Sequence, residues 1–214
     1  MDCCKHNQGL NNTFNESTAT GELKAYWKKG IDQHARRVVE MVSARGIERA
    51  SILEVGAGLG GLHLELLKRG AASATDMDVS AAYVAAAQGV AEKLGLRDRI
   101  EYRVGDFAGE ADSVSPADVV VMHRVVCCYP DMPQLVTAAA GHAKRLMALT
   151  VPRGTWYMQL GQQVINFGMW LTRAGFRFYV HDPEAIMRVA ARAGLRMTQS
   201  KFSGVWQIMV FERG

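Results

Sequence analysis

Cysteine is scarce, and its placement excludes a disulfide scaffold. The four cysteines fall in two adjacent pairs, Cys3-Cys4 and Cys127-Cys128, and sequence neighbours rarely bridge each other without strain. Their spacing is not that of a zinc site, so no metal is expected. No run of about 18 uninterrupted apolar residues exists, so no segment reads as membrane-spanning. The first eight residues are polar and lack the apolar stretch of a signal peptide. Reduced thiols in a cytoplasmic protein are the reading that follows. An excess of one charge is also missing: 25 Lys and Arg stand against 21 Asp and Glu. Apart from residues 24–37 there is no basic–aromatic strip, so nucleic acid is not an expected partner. Nor are there internal repeats or low-complexity tracts. What remains is 49% apolar and 21% charged, the balance of a soluble globular chain, which excludes disordered and fibrous classes. At 214 residues one domain is expected, large enough to bury its own core.

Residues 1–20 are rich in Asn, Thr, Ser and Gly and read as a flexible arm or lid ahead of a single domain over 21–214. Leu23, Tyr26, Trp27, Ile31, Ala35, Val38, Val39 and Val42 predict one helix from Glu22 to about Arg45. From Ser51 the chain alternates. Strands are expected at 51–55, 72–77, 99–104, 117–122 and 146–151, with helices at 61–69, 80–94 and 132–142. Ser80 is a helix start and Gly95 a stop. Beyond Pro152 come a helix over 155–172, a short strand over 176–180 and a helix over 183–193. Two strands, 195–202 and 205–211, close the chain around a Ser203-Gly204 turn. Strand–helix alternation of this kind predicts an α/β fold, a Rossmann-like three-layer sandwich with a mostly parallel sheet.

The strongest motif is Glu54-Val55-Gly56-Ala57-Gly58-Leu59-Gly60-Gly61. Its glycines satisfy G-x-G-x-x-G between a strand and a helix, a turn that lets a ligand approach bare backbone at a helix N-terminus. Asp76 and Asp78 stand where a dinucleotide fold keeps its ribose-binding acid. A nicotinamide enzyme is disfavoured, because no Tyr-x-x-x-Lys pair exists and no room remains for a second catalytic domain. Glu54, Asp78 and Asp106 instead lie at the carboxyl ends of successive strands, on the rim where open α/β sheets bind ligands. That acid set matches a ligand with an ammonium, a sulfonium, a ribose and an adenine, and pyrophosphate does not need it.

Glu54–Gly60, Asp78-Val79-Ser80, Gly105-Asp106-Phe107 and Ala117–Val121, in that order, resemble the successive motifs of class I S-adenosylmethionine-dependent methyltransferases over roughly residues 20–212. The resemblance implies a seven-stranded sheet with one antiparallel strand near the C-terminus, and S-adenosylmethionine as methyl donor. It implies that Glu54, Gly56, Gly58 and Gly60 hold the methionine end and Asp78 the ribose, with Val79 and Met122 beside them. Asp106 and Phe107 would hold the adenine. The second half is similar to the magnesium-protoporphyrin O-methyltransferases in Cys128-Tyr129-Pro130, Trp156-Tyr157 and Phe178–His181, and Phe14-Asn15 matches that family's arm. Cys128 replaces that family's usual His, and Thr13 its usual Tyr. Both departures fall at its chemistry and point to another small or mid-sized, partly hydrophobic acceptor.

Methyl transfer from an activated donor is chiefly alignment and water exclusion, and a base is needed only if the acceptor must lose a proton. His123 and Arg124 after the fourth strand, and His181 after the 176–180 segment, are the candidate catalytic residues. Phe14, Tyr129, Trp156 and Tyr157 are the candidate acceptor contacts, enclosed by the arm and the 155–171 helix. His6, His34, His63 and His142 read as surface or helix histidines. Two alternatives stay open: a non-catalytic adenosyl-ligand binder or partner subunit, and a thiol or metalloid methyltransferase using the paired cysteines. The acceptor atom and the oligomeric state are not legible.

Overall fold

A computed structural model describes residues 9–172 and 175–214. Residues 9–13 belong to a first helix, α1. Then follow α2 (Glu16–Lys29), α3 (Gln33–Ser43), β1 (Ser51–Val55), α4 (Gly61–Lys68), β2 (Ser73–Asp78), α5 (Ala81–Lys93) and β3 (Ile100–Val104). The short α6 (Phe107–Glu110), β4 (Ala117–His123), α7 (Met132–His142) and β5 (Ala143–Pro152) continue the alternation. The chain ends with α8 (Trp156–Leu171), α9 (Pro183–Arg192), β6 (Leu195–Ser203) and β7 (Trp206–Arg213).

The seven strands form one sheet in the order β3-β2-β1-β4-β5-β7-β6. β1 to β5 are mutually parallel, and β7 runs against both β5 and β6. The expected sheet, with one strand opposed near the C-terminus, is therefore what the chain builds. Strand periodicity divides the core. Ile52, Val119, Val121, Leu146, Ala148, Ile208 and Val210 face the layer holding α3, α4 and α5. Leu53, Val120, Met122, Met147, Leu149, Met209 and Phe211 face the layer holding α7 and α9. A strand covered on both faces needs apolar residues at every position, which is why β4 reads as an unbroken run.

Two expectations fail. The 22–45 helix is two helices: Gly30, with φ 69°, ends α2, and the Asp32 carboxylate accepts from the His34 and Ala35 N–H groups to start α3. Residues 176–180 form no strand. Side-chain amides of α8 take their backbone groups: Asn166 both donates to and accepts from Phe178 at 2.8 Å, and Gln162 accepts from Val180 N–H at 2.5 Å. The described part of the N-terminal arm, 9–20, is largely helical. Asn15 caps α2, and Leu10 and Ala19 are buried. Phe14 packs edge-on against Tyr83 and Phe176. Ala19, Leu59 and Tyr83 form a small third core that fastens α2 to the glycine-rich turn.

Candidate active site

The turn after β1 is held in a left-handed path, with φ of 63° at Gly56 and 57° at Gly58. A Cβ at Gly56 would stand 2.5 Å from Val125, so any side chain there meets both strain and a clash. Gly58 N–H donates to Asp78 Oδ2 at 2.8 Å, and Ser80 N–H donates to Asp78 Oδ1 at 2.8 Å. Asp78 thus joins the glycine turn to the start of α5. Burial pushes its carboxyl above the usual range, against the pull of those two N–H groups. Ser80 Oγ donates to the Phe14 carbonyl at 2.6 Å and ties the arm to the same corner.

Beneath the turn lies a buried cluster. Glu54 Oε2 accepts from the His63 backbone N–H at 2.8 Å and lies 2.8 Å from His63 Nδ1. On the far side of the ring, His63 Nε2 is 4.0 Å from Asp76 Oδ2. His63 and Asp76 are both wholly buried. Desolvation pushes the Asp76 carboxyl well up, and the charges of Glu54 and Asp78 push it further.

At the end of β4 a second polar group forms. His123 Nδ1 lies 3.0 Å from Thr150 Oγ1, and its Nε2 lies 3.6 Å from Asp32 Oδ2. Arg124, in the left-handed region at φ 62°, pairs with the same oxygen at 3.3 Å and stacks its guanidinium on Trp206. Burial acts to raise the Asp32 carboxyl. The His123 ring, the Ala35 N–H and the Arg124 charge outweigh it and hold the group well below the usual carboxylate range.

The glycine turn, Glu54, Asp78, Asp32, His123 and Arg124 share one cavity of about 590 Å³. Its wall runs from Leu10, Phe14 and Tyr83 past the glycine turn and Asp78 to Asp32, His123, Arg124, Cys127, Cys128, Phe178 and Trp206. A smaller cavity of about 60 Å³ adjoins it and is lined by Val79, Asp106, Phe107 and Tyr129. There Asp106 caps α6, and Tyr129 O–H donates to Asp106 Oδ2 at 3.2 Å. Four carboxylates, those of Glu22, Asp32, Glu54 and Asp78, line the larger cavity against one arginine. That balance repels polyphosphate and suits a cationic ligand carrying hydroxyls.

Residues 52–147 match a family profile described as a methyltransferase domain. That segment is a methyltransferase domain, and its methyl donor is S-adenosylmethionine. This methyltransferase shares its fold with a magnesium protoporphyrin IX methyltransferase from Synechocystis, solved with S-adenosylhomocysteine. The two are 19% identical over 85% of this chain and 83% of that one, with a TM-score of 0.70. An O-methyltransferase family protein from Burkholderia thailandensis is 17% identical over 88% of this chain and 58% of that one, at 0.69. A ribosomal protein L11 methylase from Lactobacillus delbrueckii is 16% identical over 86% and 80%, at 0.62. No curated protein sequence matches the chain.

Of the residues expected at the methyltransferase site, Phe14, Glu54, Gly56, Gly58, Asp78, Val79, Asp106, Phe107, Tyr129, His123 and Arg124 line one cavity or the other. Gly60, Met122, Trp156, Tyr157 and His181 line neither. Gly60 instead starts α4 in the left-handed region above His63, and Met122 points into the core. His181 Nε2 lies 2.9 Å from the Tyr129 carbonyl, and burial lowers its pKa. Trp156 and Tyr157 are exposed on α8, edge-on to each other. His63, read as a surface or helix histidine, is fully buried against Glu54. Cys127 Sγ donates to the Arg124 carbonyl at 3.2 Å. The Cys127–Cys128 hydrogen bond and burial keep the Cys127 thiol well above its ordinary pKa. Cys3 and Cys4 lie outside the described residues. Sequence reading missed Asp32, Glu22, Tyr83 and Trp206. Only Asp32 carried a signal, a Gly-x-Asp helix stop and restart.

Proposed function

We propose that this methyltransferase acts on a small or mid-sized, partly hydrophobic molecule carrying an O–H or N–H, bound where Asp32, His123, Arg124, Phe178 and Trp206 meet. The polarity of the cavity carries this reading. The glycine-turn end offers bare backbone and Asp78, and the β4 end offers one ion-paired carboxylate among aromatic and sulfur-bearing walls.

Bound S-adenosylmethionine supplies an activated methyl group. In this reading Asp78 binds the ribose hydroxyls, Asp106 and Phe107 bound the adenine, and the Gly56–Gly58 backbone takes the methionine end. Glu54 is already engaged by His63, so it shapes the turn as well as contributing charge. At the β4 end Asp32 faces the cavity, with His123 Nε2 shielded behind it. Asp32 accepts the hydrogen bond of the acceptor's O–H or N–H and aims its lone pair. As the new bond to the methyl carbon forms and the sulfur–carbon bond breaks, that proton passes by way of Asp32 to the His123 ring, since the strongly acidic Asp32 carboxyl does not keep it. Arg124 anchors the same carboxylate. The arm over residues 1–20 serves as a lid that keeps water from this step.

A methyl-transfer screen over small hydroxyl and amine acceptors, read by mass, tests the proposal. Asp32→Asn keeps a capping side chain and removes the charge. It is expected to lower turnover by about 10²–10⁴ while donor affinity changes little. Methylation of RNA or protein alone would sink the reading of a small acceptor, and unchanged turnover in Asp32→Asn would sink the proton route.

A further inference from the structure

α8 is built inside out. Its amide side chains, Gln162 and Asn166, point inward and hold the backbone of residues 178–180. Its large apolar residues point to water: Trp156 is 75% exposed, Val164 66%, Phe167 60% and Trp170 66%, with Leu160 and Leu171 between them. None of its 16 residues is buried. On a helix, positions 156, 160, 164, 167 and 171 fall on one stripe. An exposed stripe of this size marks a surface that is covered in use. The acceptor cavity does not cover it, since no α8 residue lines that cavity.

Charge decides between occupants. From Met132 to His181 the sequence holds no Asp or Glu. Arg153 precedes the helix, and its guanidinium stacks on the exposed Phe202, beside exposed Lys201 and Val205. Arg177 is exposed just past the helix. The nearest following acids in sequence, Asp182 and Glu184, are paired with Arg188. A second copy docked symmetrically would bring these bases against their own images. A negatively charged surface would neutralise them. No helix of the described residues is long and apolar enough to cross a membrane, and sixteen residues extend only ~24 Å. An uncharged, aromatic-rich stripe with basic flanks suits a helix lying in the plane of a bilayer.

We propose that α8, with Arg153, Arg177, Lys201 and Phe202 at its flanks, is a docking surface for an anionic lipid bilayer. The test is co-sedimentation of the full chain with vesicles of neutral phosphatidylcholine, and with vesicles in which part of the lipid is phosphatidylglycerol. Binding to the anionic vesicles should be tighter by about tenfold or more, as expected for a few bases at a negative surface, and should weaken with added salt. Trp156 and Trp170 should give a blue-shifted emission only with those vesicles. Leu160→Glu and Phe167→Glu remove no buried contact, so both should keep the wild-type melting temperature and donor affinity while losing vesicle binding. Equal binding to both vesicle types, or to neither, overturns the proposal. So does a dimer in sedimentation that Phe167→Glu dissociates, because α8 would then be an interface between copies. Vesicle binding is read without turnover, so its failure leaves the reading of the acceptor site untouched.

Discussion

Single residues in this site do two jobs, and their substitution separates the jobs. Asp78 lines the larger cavity and also accepts the Gly58 and Ser80 N–H groups. Asp78→Ala should weaken S-adenosylhomocysteine binding by about 1–3 kcal/mol, read by calorimetry. Unchanged affinity would remove Asp78 from the donor contacts. Asp76 makes a different prediction. A carboxyl whose pKa is higher in the folded chain than in the unfolded one stabilises the fold below the unfolded value, about 3.9. That advantage is lost as pH rises toward the folded value. Asp76 is raised by burial and by the charges of Glu54 and Asp78, whereas an asparagine there ionises in neither state. The melting temperature of Asp76→Asn should therefore match the parent near pH 4 and exceed it at pH 8. A variant less stable at pH 8 would show that Asp76 is ionised against His63. Asp78 and its neighbours were legible because their spacing follows strand ends. The Glu54–His63–Asp76 stack was not, since His63 reads as a helix residue until the glycine turn is folded over it.

At the scale of elements, the arm and α2 close one end of the larger cavity. Leu10 and Phe14 line that end beside the glycine turn, and Phe14 is tied to Ser80 and packed on Tyr83. Removing residues 1–14 while keeping the Asn15 cap should weaken donor binding by roughly tenfold, the loss expected from one large apolar side chain. The melting temperature should shift little. Unchanged donor affinity with reduced turnover would return the arm to the acceptor side. The position of α2 also shows why the break at Gly30 matters. A continuous helix over 22–45 could not present Asp32 to His123. The hydrophobic periodicity runs across both halves, so the break was visible only as Gly30 and Asp32 themselves. For residues 176–180 the alternation was real, but the partner was a pair of amides on α8 rather than a strand.

For the whole molecule the acidic cavity predicts which ligands stabilise it. S-adenosylhomocysteine at a hundredfold its Kd should add about 2.7 kcal/mol, a rise in melting temperature of roughly 5–10 °C at this size. NAD at the same concentration should add nothing measurable, because its pyrophosphate would enter a cavity lined by four carboxylates and one arginine; an equal shift from NAD would contradict the electrostatic reading. The sequence by itself determined the sheet. Its central strands are apolar at every position because both faces are covered, and the intervening helices fix the parallel connections. It also determined the donor motifs, because each lies within a few residues of one strand end and depends on local turn chemistry. Only the tertiary structure decided the β4 end of the cavity. Asp32, His123, Phe178 and Trp206 come from four distant segments, and no local spacing encodes their meeting. The same holds for α8: its apolar stripe is plain in sequence, but only packing shows which face turns inward, and here the amides won that face by bonding the backbone of 178–180.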